Sequence, residues 1–349
     1  MRFLRERFSM LKPYHSSYIS EGVILNANES PYAPPEALKE YMKEHLDELL
    51  VNRYPDTDNT KLAEAIARTY GVNVRNVICG VGSDELIDCI LSSTIEADDK
   101  VLIPSPSFSM YGQFTLLNSG RGIEVPLKED FSYDINELEK VILEEQPKVV
   151  FLCNPNNPTG CILRRNEIER LLQVAQGLVV VDEAYEDFAS EDISSIDLIH
   201  KYQNLIVLRT FSKAYALAGA RVGYGIACEE VIDLIGTVIV PYNLSVFSQL
   251  AATWCIEHRP IFLENAKKII SQRGMLDAGL KALGYKTYPS EANFIWCELE
   301  ESVFDALKEQ AIYIRKMTVR GKDYYRVTLG TPGENEALLA ALKALKEKK

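Results

Sequence analysis

The chain reads as an α/β protein, with a large domain on a mostly parallel sheet followed by a smaller C-terminal α+β domain. Three observations predict this. Short apolar, β-branched runs stand at residues 100–103, 148–152, 178–181 and 205–208, the pattern of strands buried on both faces. Amphipathic stretches at 135–145 and 167–176 alternate with them, as helices crossing between parallel strands would. Beyond about Pro241 the pattern changes to two long helical stretches, roughly 245–258 and 260–283, and then a mixed segment ending in a charged helix. The expected organisation is an arm over 1–25, a large domain over 26–244 and a small domain over 245–349.

Taken in order, residues 1–25 carry Pro13 and several serines and read as irregular. Residues 26–35 are rich in Asn and Pro, which predicts a loop entering the body. Residues 60–70 alternate apolar and charged positions at helical spacing and stop at Gly71, suited to a left-handed helix end. The apolar Val77-Ile78-Cys79 leads through Gly80-Val81-Gly82-Ser83-Asp84-Glu85 into a helical run at 86–91. In open α/β sheets ligands sit beyond the carboxyl ends of the strands. Each of the four runs is followed there by polar chemistry: Pro104-Ser105-Pro106-Ser107, Asn154-Pro155-Asn156-Asn157-Pro158, Asp182-Glu183-Ala184-Tyr185 and Arg209-Thr210-Phe211-Ser212-Lys213.

Composition narrows the classes of function. A hydrophobic share of 47% over 349 residues suits a globular core and not a disordered chain. The formal charge of -12 argues against a broad nucleic-acid footprint or an anionic membrane surface, so small-molecule ligands are expected. No apolar run approaches the ~20 residues that span a bilayer, and the basic N-terminus leads into no apolar signal core. Seven irregularly spaced cysteines and four histidines fit reduced thiols in a cytoplasm better than disulfides or a structural metal.

The Gly80–Glu85 segment is either a plain β-to-α turn or a phosphate cradle, in which free amides of a helix start hold an anion. A dinucleotide fingerprint fits less well, because Glu85 stands where its third glycine belongs. Asp182 ends a buried run, as a helix cap or as an acid that keeps a pyridine nitrogen protonated. Lys213 follows a buried strand and a Thr-Phe-Ser turn, where its amine can form a Schiff base and carry a proton. Ser212, Thr210 and Arg221 can bind a phosphate beside it, the guanidinium offering two parallel donors.

Together these residues resemble the fold-type I pyridoxal 5'-phosphate (PLP) aminotransferases, and within them the histidinol-phosphate branch. The resemblance runs over nearly the whole chain. It is carried by Pro13-Tyr14, Asn26-Ala27-Asn28-Glu29, Arg53-Tyr54-Pro55-Asp56, the Gly80–Glu85 turn, residues 154–160, Asp182 to Tyr185, residues 209–223 and Arg326-Val327-Thr328-Leu329-Gly330.

The resemblance implies that Lys213 holds the cofactor aldehyde and that Asp182 pairs with the ring nitrogen. It implies that Tyr185 and Asn157 bond the ring oxygen and that Tyr111 stacks on the ring. The backbone at Ser83 and Asp84, with Ser212 and Arg221, is implied to bind the cofactor phosphate. Tyr54 is implied to reach the neighbouring subunit's cofactor, which makes the protein a homodimer with shared sites. Tyr14, Asn28, Arg315 and Arg326 are implied to meet the substrate, the two arginines holding a phosphate ester. Tyr325 and residues 316–324 are expected to border the substrate side. The implied reaction is amino transfer between L-histidinol phosphate and 2-oxoglutarate. An aromatic amino-acid aminotransferase and a threonine-phosphate decarboxylase are the rival enzymes, and a non-catalytic binding module of transcription regulators is the rival outside enzymes.

Overall fold

Apolar runs alternating with amphipathic helices have one stable arrangement, a sheet covered on both faces. The computed structural model, which describes Phe8 and residues 19–347, contains it. Strand β1 (Val23–Leu25) and helices α1 (Glu36–Glu44) and α2 (Thr60–Tyr70) come first. They are followed by β2 (Val77–Gly80), α3 (Gly82–Thr94), β3 (Lys100–Ser105), α4 (Met110–Leu117) and β4 (Arg121–Pro126). Next come α5 (Ile135–Glu145), β5 (Val149–Cys153), α6 (Arg165–Val174), β6 (Leu178–Asp182), β7 (Leu205–Thr210) and β8 (Gly223–Ala227). The chain continues through α7 (Glu229–Gly236), α8 (Val246–Glu257), α9 (Arg259–Ala282), β9 (Lys286–Tyr288) and β10 (Phe294–Glu298). It closes with α10 (Glu301–Glu309), β11 (Ile312–Val319), β12 (Lys322–Thr328) and α11 (Pro332–Glu347).

Seven strands form one sheet in the order β2-β8-β7-β6-β5-β3-β4, in which β8 runs against both of its neighbours. β5, β7 and β8 are buried along their whole length, so continuous apolar sequence is what their places demand. The carboxyl ends of β5, β6 and β7 therefore lie side by side at one edge. A second sheet has the order β1-β11-β12-β10-β9 and is antiparallel except for the β1–β11 pair.

Two boundaries differ from the expectation. Val23–Leu25, expected in the irregular arm, pairs with Ile312, Tyr313 and Ile314, because its apolar side chains complete the small-domain sheet. Tyr14, in the arm, lies outside the described residues. Helix α8, expected to open the small domain, packs instead on α1 and α2, since Ala251, Ala252, Trp254 and Cys255 are buried with Leu62 and Ile66. The crossing is made by α9, which places Phe262 in the large-domain core and Leu276 and Leu280 in the small-domain core.

One side chain pins the two domains together. Phe131 follows β4 and stands edge-on to three rings of the small-domain sheet. Its centroid lies 4.7 Å from Tyr288, 5.9 Å from Trp296 and 5.1 Å from Tyr324. Edge-to-face pairs add about 0.5–1.5 kcal/mol each beyond area burial. Phe131→Ala should therefore cost about 3–5 kcal/mol of stability, read as a lower midpoint in urea unfolding. A midpoint equal to that of the parent protein would remove Phe131 from the interface energetics.

Candidate active site

Residues from the ends of β5, β6 and β7 and from the start of α3 meet around a cavity of about 340 Å³. Ser83, Asp84, Asn157, Asp182, Tyr185, Ser212, Lys213 and Arg221 all line it. A neighbouring cavity of about 480 Å³ shares Asp84, Asn157, Tyr185 and Lys213 and adds Arg315 and Arg326 from the small domain. Four separate stretches of sequence thus reach one place, and the strand order is what gathers them.

Asp182 is the floor. Burial pushes its carboxyl up to about 6, while the Tyr111 hydroxyl, the Ala184 N–H and the nearby Lys213 favour the charged form. Tyr111 donates its O–H to Asp182 Oδ2 at 2.7 Å, and the Ala184 amide donates to Oδ1 at 3.1 Å. This corrects the role expected for Tyr111. Its ring is fully buried and stacked on Phe151 at 4.5 Å and 8°, so no face is left for a ligand. Phe108, edge-on to Tyr111 at 5.5 Å and 85°, lines both cavities and supplies the aromatic wall.

Lys213 follows β7 and donates to the Ala27 carbonyl at 3.1 Å. Burial lowers its pKa to about 8, with the positive charges of Arg326 and Arg221 acting in the same direction. Burial also pushes the Tyr185 phenol up to about 12, so it keeps its proton. Tyr185 accepts from Asn28 Nδ2 at 3.1 Å, which leaves its O–H to donate. Asn157 Oδ1 accepts from Arg326 Nη1 at 2.5 Å, which leaves its amide N–H groups to donate. Tyr185 and Asn157 therefore each keep a donor, and both line the two cavities. Asn28 itself is buried and does not line either cavity. Its amide is spent on Tyr185 and its carbonyl oxygen accepts from Thr328 Oγ1, so it orients Tyr185 and is not placed to touch a substrate.

At the opposite end of the cavity lies the first turn of α3. Gly82 has φ +72°, and a Cβ there would stand 2.6 Å from Arg221 Nη2. A Cβ at Gly223 would stand 2.5 Å from the Ser83 nitrogen. Both glycines are thus required for the close approach of β8 and Arg221 to the helix start. Arg221 reaches Ser212 Oγ at 3.4 Å and Asp84 Oδ2 at 3.1 Å. Free first-turn amides, a hydroxyl and a guanidinium form the donor set of a phosphate site.

The family model "Aminotransferase class I and II" matches residues 20–342. The chain belongs to that family. The histidinol-phosphate aminotransferase of Ruminiclostridium cellulolyticum is 37% identical over 351 residues, covering 98% of each chain. Histidinol-phosphate aminotransferase 1 of Carboxydothermus hydrogenoformans is 40% identical over 344 residues, again covering 98% of each. The solved structure of histidinol-phosphate aminotransferase from Sinorhizobium meliloti, in complex with pyridoxal-5'-phosphate, is 26% identical with a TM-score of 0.85. That alignment covers 92% of this chain and 91% of the other.

In this aminotransferase the remaining expected residues fall at different distances from the cavities. Arg315 and Arg326 are direct cross-strand partners on β11 and β12 and line the larger cavity. Tyr54 does not line either cavity; it is 81% exposed and stacked on Tyr242 at 4.4 Å. Tyr325, expected beside the substrate, is fully buried and packs on Phe304, because β12 turns alternate side chains to opposite faces. Met317, on the hairpin flagged with it, does line the larger cavity. Phe108 escaped notice because two aromatics three residues apart compete for one role, and only burial separates them.

A half-buried, cation-flanked amine has a chemical signature. In the ligand-free protein Lys213 should be acylated with a midpoint near pH 8, read by peptide mass spectrometry, while surface lysines titrate above about 10. A Lys213 midpoint in the surface range would contradict its placement.

Proposed function

We propose that this chain is a PLP-dependent aminotransferase of histidine biosynthesis, active in the cytoplasm, that transfers an amino group between L-histidinol phosphate and 2-oxoglutarate. In the biosynthetic direction imidazole acetol phosphate and glutamate are the reactants. The residues present fit a flat, phosphorylated pyridine aldehyde. Asp182 offers a carboxylate to a ring nitrogen, Phe108 a wall to the ring, and Lys213 an amine to the aldehyde. Tyr185 and Asn157 offer donors to a ring oxygen, while Ser83, Asp84, Ser212 and Arg221 surround the position of a phosphate. When bound, PLP supplies an electron-withdrawing protonated ring that takes up the electron pair of the substrate Cα–H bond.

The rest is the work of the chain. Asp182, once ionised, holds a proton on the ring nitrogen. Lys213, with its pKa lowered to about 8, is neutral often enough near neutrality that it would accept the Cα proton and deliver it to the aldehyde-derived carbon across the amine nitrogen. The Phe108 wall keeps water from one face.

Arg315 opposite Arg326 carries the substrate reading, because both guanidinium side chains line the larger cavity from paired strands and an anion there meets two cations at once. A phosphate ester matches two guanidiniums better than a single carboxylate does. Spectroscopy tests both the cofactor and the substrate. The yellow absorbance of the PLP-loaded protein should bleach with L-histidinol phosphate alone and return with 2-oxoglutarate. Arg315→Gln should weaken histidinol phosphate about 10–100-fold, the worth of a charge-assisted hydrogen bond. A yellow band indifferent to histidinol phosphate would leave the cofactor and overturn the substrate.

We also propose a homodimer in which Tyr54 reaches the other subunit's site. The exposed stack of Tyr54 on Tyr242 sits on a surface that also exposes Leu50, Val51 and Val240. Contiguous exposed apolar side chains of this size mark interaction surfaces. Light scattering should give twice the 39.3 kDa chain mass, and a monomer mass would remove the proposal.

A further inference from the structure

Tyr111 contributes its hydroxyl but not its ring face. The ring is clamped between Phe151, stacked at 4.5 Å, and Phe108, edge-on at 5.5 Å. Burial pushes its phenol well above the ordinary value, so at any working pH the group is a donor. Its 2.7 Å bond goes to Asp182 Oδ2, and the Ala184 amide takes one direction of Oδ1. A ring that cannot tilt holds its hydroxyl still, and the carboxylate cannot rotate without breaking the bond. Phe108, the aromatic wall, leans on the same ring.

We propose that Tyr111 is a positioning residue that acts through Asp182, its hydroxyl fixing one carboxylate oxygen so that the other is presented to the cofactor nitrogen. This rests on the PLP reading above and adds to it a residue that does not touch the cofactor.

The groups electrostatically facing Asp182 come from several elements. Asp84 faces it from α3, Tyr111 from α4, Tyr133 from the segment before α5, Cys153 from β5, Tyr185 from beyond β6 and Lys213 from beyond β7. Of these, the Tyr111 hydroxyl and Lys213 favour the carboxylate, and Tyr111 alone among them is bonded to it, at 2.7 Å. Donation to a carboxylate stabilises its charged form, so loss of the hydroxyl raises the folded-state pKa further above the ordinary carboxylate range. A protonated Asp182 must release its proton before it can face a protonated pyridine. Cofactor affinity therefore falls on the acid side, and Tyr111→Phe moves that fall to higher pH.

The test compares Tyr111→Phe with Tyr133→Phe. The second removes another buried hydroxyl, which donates to the Cys153 carbonyl at 2.6 Å, and leaves the Asp182 bond intact. PLP dissociation constants, measured by fluorescence quenching across pH, are expected to weaken about 10-fold near pH 6 in Tyr111→Phe and stay within about 3-fold near pH 9. Tyr133→Phe is expected to keep the parent profile. A carboxyl NMR titration of the cofactor-free protein should show the Asp182 midpoint raised in Tyr111→Phe. If Tyr111→Phe does not fold, 3-fluorotyrosine at position 111, a stronger donor, should lower that midpoint instead.

An Asp182 midpoint and a cofactor pH profile unmoved by both changes at 111 would overturn the proposal and leave the PLP reading standing. A parent protein that does not bind PLP at all would overturn the reading, whereas the NMR midpoint would still decide the Tyr111–Asp182 link.

Discussion

The site depends on a buried ion pair that faces away from it. Arg209 donates through Nε and Nη2 to Glu183 Oε2, at 3.0 and 2.6 Å, and through Nη1 to Glu186 Oε2 at 2.5 Å. Ser195 N–H and Ser194 Oγ complete the Glu183 carboxylate at 2.6 and 3.2 Å. Both side chains are essentially closed to water, so the desolvation cost is large and only full satisfaction of donors and acceptors offsets it. Along a strand side chains alternate between faces. Glu183 follows Asp182 and Arg209 precedes Thr210, so clamping the outer pair fixes the spacing of the inner one. Removing one partner of such a pair costs about 3–5 kcal/mol, comparable with much of a domain's net stability. The carboxyl ends of β6 and β7, and with them Asp182 and Lys213, are therefore set from behind.

Given that frame, burial does the electrostatic tuning. It raises the acid at Asp182 to about 6 and lowers the base at Lys213 to about 8, bringing both near the working range. The shift at Lys213 suits a group that takes up and returns a proton, whereas the shift at Asp182 works against its carboxylate, and the Tyr111 and Ala184 donors counter it. The net charge of -12 would oppose any phosphorylated ligand if it acted at long range. Screening confines it to within about 8–10 Å, so Arg221, Arg315 and Arg326 decide the local field.

The sequence made the strand ends legible, because a buried parallel strand followed by a polar turn has one place to put that turn. Asp182, Lys213 and Asn157 could be read this way, as could the glycines that bring Arg221 against α3. The facing of individual side chains could not. Phe108 and Tyr111 stand three residues apart at the entry to α4, and which ring is walled in by Phe151 is a tertiary fact. Asn28 has the composition of a binding residue, yet its φ of 54° turns it toward Thr328 and Tyr185. Arg209 and Glu183 stand inside motifs that read as ligand-facing, and strand alternation sends them the other way. Strand β1 and helix α8 were misplaced because three apolar residues, or one helix, take their domain from the neighbour that buries them.

The substrate side and the cofactor side are not separable in this architecture. Arg326 donates to Asn157 Oδ1 and, through Nη2, to the Asn26 carbonyl at 2.8 Å. Lys213 donates to the Ala27 carbonyl and Asn28 donates to Tyr185, so residues 26–28 brace three different functional groups. An anion that draws the Arg326 guanidinium toward itself acts on the same bond that orients the Asn157 amide. With the roles proposed above, a change at Arg326 would alter the Asn157 donor together with substrate binding, and its kinetic effect would belong to both. Arg315 faces the same cavity from the paired strand, and no bond of this kind ties it to Asn157 among those described. It is the cleaner probe of the substrate's charge.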